Sequence, residues 1–71
     1  MGRESALKHL SAAEAVVRRD AAARLGRVGR MQDSGWLAVL LSDTDEDVRA
    51  ASEAALWRVW ARSGDRQVDA L

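Results

Sequence analysis

Slid along itself so that Val17 falls on Val48, the sequence pairs Arg18 with Arg49, Ala23 with Ala54, Leu25 with Leu56, Arg27 with Arg58 and Val28 with Val59. The same shift of 31 residues puts Leu10 on Leu41, Ser11 on Ser42 and Leu40 on Leu71. An alanine-rich chain produces some coincidences, but identities at large apolar positions are harder to obtain by chance. A period of this length holding two helices per unit means a helical-hairpin solenoid, in which each unit hides its apolar face against the next. The two copies part company at one place. "VVRRDAAARLGRVG" carries Gly26 and Gly29 where "DVRAASEAALWRVW" carries Trp57 and Trp60.

Helix is the state favoured throughout, because proline is absent and alanine recurs at helix-compatible spacings. The pattern predicts helices over about Glu4 to Leu10, Ala13 to Arg30, Ser34 to Leu41 and Asp45 to Ala61, and a short fifth from Asp65 to Leu71. Asp33 or Ser34 is placed to accept the free amides of the third helix. The acids of "DTDED" at 43–47 stand where the positive dipole end of the fourth helix begins. "ARSGD" at 61–65 reads as the last break. The domain is single, spanning 1–71, with a partial leading repeat at 4–12, repeat one at 13–43 and repeat two, cut short, at 44–71.

A chain of 71 residues buries only a modest share of its unfolded surface, so its stability is marginal without help. No cysteine is present to staple it or to bind metal, which fits a reducing, cytoplasmic setting. His9 alone makes no conventional zinc site. Eleven basic side chains balance eleven acidic ones, which argues against a strongly basic nucleic-acid or membrane binder. No apolar run reaches the length of a membrane span. The start "MGRES" fails as a myristoylation site because Ala6 stands where Ser or Thr is needed.

"VRRDAAARLGRVG", followed by "WLAVLLSDTDEDVRAASEAALWRV", resembles the HEAT-like repeats of the phycobilisome-lyase type. Their pattern is an acidic turn, Val-Arg, small residues, Ala, Leu, Gly and a second apolar helix. The resemblance covers about residues 13–71, with residues 4–10 similar to the second helix of a preceding unit. It implies an all-α, short right-handed α-α superhelix of HEAT or armadillo type, about two repeats with partial flanking helices. It also implies that Val17 and Val48 face the core, that Arg18 and Arg49 bridge to the acidic turn of Asp43, Asp45 and Asp47, and that the glycines of "LGRVG" let a neighbouring helix approach closely. About function it says little.

At roughly 100° per residue, Val48, Ser52, Ala55, Leu56 and Val59 form one stripe, and Trp57 falls on the far side of it. Two readings of Trp57 and Trp60 follow. A last helix folds back over both rings, or the rings anchor an interface, where tryptophan is enriched. Trp36 begins an apolar run with Leu37, Leu40 and Leu41 and is expected in the core. Arg19, Arg27 and Arg30 share the polar side of the second helix, as a solvated face paired with Asp20 and Glu14 or as a phosphate-facing stripe.

No enzyme is read from these residues: no nucleophile has a base at a recognisable spacing, and there is no phosphate-cradling glycine loop. The His-Glu pairs of HEAT-type iron hydroxylases are missing as well. "DTDED" lacks both the glycine and the terminal Glu of a calcium loop, so a helix cap is its expected role. The expectation is therefore a non-catalytic protein-interaction or scaffold module without cofactor or metal. Trp57 and Trp60, flanked by Arg58 and Arg62, would meet a protein partner or the chain's own copy, with a homodimer as the simplest form. Two alternatives remain: nucleic-acid or phosphate binding through Arg19, Arg27 and Arg30, and an accessory subunit of a bilin-lyase-like system, implied by the resemblance alone.

Overall fold

Helices form where the apolar spacing asks for them, and no strand occurs among the described residues. The computed structural model describes the backbone of residues 2–70 and the side chains of residues 2–62. Its helices are α1 (Arg3–His9), α2 (Ala15–Val28), α3 (Ser34–Val39) and α4 (Glu46–Ala70), with 3₁₀ turns at Met31–Asp33 and Leu40–Ser42. The break expected at 61–65 does not occur. Gly64 weakens helix propensity there, but without a proline the helix runs on, so the fifth helix expected from Asp65 is the continuation of α4 as far as Ala70. Leu71 lies outside the described residues.

One core holds the four helices. Leu25, Leu37, Val48, Leu56 and Val59 are buried, together with Ala6, Leu10, Ala21, Ala22, Leu40 and Ala55. The widest pairing is α2 on α4, with α1 against α2 and α3 against α4. Small residues make that central seam close. A Cβ added to Gly26 would stand 3.1 Å from the Cα of Ala55 and 3.2 Å from its Cβ, so only hydrogen fits at this position without moving α4. Ser52 lies within the apolar stripe, its hydroxyl buried and without a hydrogen-bond partner among the described residues.

Arginines and aspartates far apart in sequence fix the helix ends. Arg18 of α2 grips Asp43 with two hydrogen bonds, of 2.8 and 3.0 Å, and donates to the carbonyls of Ala12 and Ala13 at 2.8 and 2.9 Å. The bridge from Arg18 to the acidic turn is thus present. Asp43 also accepts the Asp45 amide, and Arg49 donates to the Asp43 carbonyl. These donors, the Arg18 guanidinium foremost, hold the Asp43 carboxyl below the usual carboxylate range. Asp45 then accepts the amides of Asp47 and Val48 at 2.9 and 3.1 Å, the N-cap that α4 requires.

One guanidinium therefore serves a carboxylate and two turn carbonyls at once. Lysine carries the same charge but lacks the planar fork. Arg18→Lys is expected to lower the melting temperature by about 5 °C and Arg18→Met by about 10 °C, read by circular dichroism. Equal melting of all three proteins would refute the bridge.

At α3 the expected cap is not made. Ser34 donates its hydroxyl to the Met31 carbonyl at 2.7 Å, and Asp33 turns away from the α3 amides. The Asp33 carboxylate, 2% exposed, instead receives Nε and Nη2 of Arg3, both at 2.7 Å, and the Arg30 amide at 2.9 Å. The Arg3 hydrogen bonds, then the Arg30 amide, hold the Asp33 carboxyl low against the opposing effect of burial. The first residue of α1 is thereby tied to the turn that opens α3.

Candidate interaction surface

Opposite its buried stripe α4 presents Trp57 to solvent, and at the margin of that stripe Trp60, 62% and 41% exposed. Three residues apart on one helix, their rings meet edge to face, with centroids 5.7 Å apart and planes at 83°, a favourable aromatic geometry. Each ring thus limits the motion of the other while both remain accessible. At about 100° per residue, Glu46, Ala50, Glu53 and Ala61 share the Trp57 face, and all four are exposed. The face is apolar toward its middle and acidic toward the start of α4. Two exposed indoles with alanine beside them form the kind of patch at which interfaces are anchored.

The flanking arginines divide. Arg62 does not face outward with the rings. It donates to the carbonyls of Gly26 and Gly29, both at 2.7 Å, and so supplies partners and positive charge to the C-terminal end of α2. Arg58 lies along the α2 side of α4, its Cδ 3.4 Å from where a Gly26 Cβ would sit. It shares a shallow groove with Asp20, Ala23, Arg24 and Arg27.

Arg19, Arg27 and Arg30 are not gathered into one stripe. Arg19 pairs with Asp20 at 3.2 Å and borders a recess with Val16, Asp45 and Asp47. Arg27 belongs to the Arg58 groove, and Arg30 stands beyond the helix, its amide on Asp33. Acidic groups thus adjoin the arginines along α2. The pair of Arg19 with Asp20 is exposed and contributes little to stability.

Trp36 is a correction. It is 63% exposed, not buried, because the short α3 and the turn after it point only Leu37 and Leu40 inward. With the exposed Val39 it borders a second apolar groove, whose other wall is Leu7 and Leu10 of α1. Met31, 49% exposed in the turn after α2, is also outside the core. Sequence reasoning missed both, since apolar spacing alone does not tell a core-facing stripe from an outward one in helices of two turns or fewer.

Compared with known protein families, with curated proteins and with solved structures, this chain matches none. Among the described residues, no group of three His, Cys, Asp or Glu side chains is placed to hold a metal ion. No helix among them is long and apolar enough to cross a membrane.

Proposed function

We propose that this chain is a non-catalytic protein-interaction module, built as a short HEAT-like stack of helical hairpins, that associates with its own copy. The observation that carries the reading is the edge-to-face pair of Trp57 and Trp60 on the outward face of α4. In the repeat register these rings replace Gly26 and Gly29, the glycines that receive a neighbouring helix inside the chain. Apolar rings at that position are best accounted for by a body that sits on them, since exposed indole surface gains free energy on leaving water.

Light scattering across a range of protein concentrations tests this. The molar mass is expected to rise with concentration, and Trp57→Gln with Trp60→Gln is expected to hold it at the monomer. Glutamine keeps good helix propensity, so circular dichroism should leave the double variant as helical as the parent. A constant monomer mass for the parent chain would overturn self-association through this face.

A further inference from the structure

We infer that self-association runs head to tail: the tryptophan face of α4 in one copy receives the α2 edge of the next, at Arg27 and at Met31 in the turn that follows α2. This deepens the reading above and rests on it.

The argument starts from the helix pair the chain already contains. Inside one molecule, α4 grips α2 through Ala55 against Gly26, the Arg58 stem beside Gly26, and the Arg62 guanidinium on the Gly26 and Gly29 carbonyls. The gripping positions are thus 55, 58 and 62, and the receiving positions are 26 and 29. Moved by one repeat, the receiving positions become Trp57 and Trp60, and the gripping positions become Arg24, Arg27 and Met31. Of these, the two rings, Arg27 and Met31 are exposed. Each molecule therefore displays repeat counterparts of both halves of a contact it makes internally.

Side-chain chemistry fits the same register. A receiving glycine admits a backbone, whereas a receiving tryptophan holds the next helix farther off and fills the gap with a ring. Guanidinium on an indole face and thioether at a ring edge are both favourable contacts. Alanine at a gripping position could not reach across that wider gap, but Arg27 can.

Charge favours the same pairing. Glu46 and Glu53 share the face of Trp57, so setting that face on the α2 edge brings Glu53 and the indoles against Arg27, the complementary case. A heterologous contact of this kind leaves one tryptophan face and one arginine edge open at the ends, so the assembly grows past the dimer.

Two surface variants decide the matter. Trp57→Gln with Trp60→Gln leaves only the arginine edge; Arg27→Glu with Met31→Glu leaves only the tryptophan face. Each alone is expected to stay monomeric in light scattering, weakened by roughly thirtyfold or more. Mixed in equal amounts, they are expected to form a one-to-one complex that stops at the dimer, because each contributes the face the other lacks. Recovery in the mixture also shows that both variants are folded. If the arginine-edge variant self-associates like the parent, the tryptophan face binds itself, and head-to-tail docking fails while the self-association reading stands. A mixture that stays monomeric, although the parent associates, likewise overturns the head-to-tail contact alone. A parent chain that stays monomeric removes both.

Discussion

Gly26→Trp is expected to lower the melting temperature by about 15 °C or more, reflecting a loss of roughly 3 kcal/mol or more. The substitution gives α2 the residue that α4 carries at the matching position. At Gly26 even a Cβ meets the Ala55 backbone at 3.1 Å, and backbone cannot swing aside as a flexible side chain can. An indole must therefore part α2 from α4 along the seam closed by Ala22, Leu25, Ala55 and Leu56. Overpacking costs about 1–3 kcal/mol where a core repacks, and opening the seam adds the loss of buried apolar contact. A domain of this size holds on the order of 5 kcal/mol in total.

The reverse change behaves differently. Trp57→Gly removes a ring that faces water, so it is expected to cost about 0.5 kcal/mol, chiefly through helix propensity. Thermal unfolding followed by circular dichroism reads both. Gly26→Trp melting within a few degrees of the parent would mean that the two helices are not in such close contact.

That asymmetry was legible in the sequence as a difference between copies, and so were the first four helices, though not the continuation of α4 through 61–65. The caps were legible where they are local: Asp45 precedes its helix by one residue and takes the amides of Asp47 and Val48. Arg18 was found through the Val-Arg pattern, but its reach to Asp43 and the Ala12 and Ala13 carbonyls depends on how the turns fold. Trp36 misled because Trp36, Leu37, Leu40 and Leu41 span a wider arc than the six-residue α3 can bury. Arg62 was read with the rings because it follows them on one helix, yet its guanidinium reaches the end of α2. The contact of Arg3 with Asp33 joins positions 30 apart and leaves no local trace. Asp33 looked like a cap because aspartate before an apolar run usually is one.

Asp33→Asn is expected to cost about 2 kcal/mol near neutral pH and to lower the melting temperature by about 10 °C. The carboxylate receives three donors, two from the Arg3 guanidinium and one from the Arg30 amide, in a nearly dry position. Asparagine keeps the shape but loses the charge and puts a donor where an acceptor is needed, so one Arg3 contact turns unfavourable. Arg3 is partly open to water and recovers some hydration, which keeps the cost below that of a fully buried pair.

The pH dependence follows from the lowered Asp33 and Asp43 carboxyls. A carboxyl held below its unfolded value stabilises fully above that value, about 4, and ceases to do so as pH falls through its lower folded value. The parent is therefore expected to lose stability on acidification below about pH 4, and Asp33→Asn to lose less, because Asp43 alone of the two still titrates. The gap in melting temperature between the two proteins should narrow as the pH falls below about 4. A gap that stays constant from neutral to acid pH would show that the Asp33 charge does not hold α1 to the turn before α3.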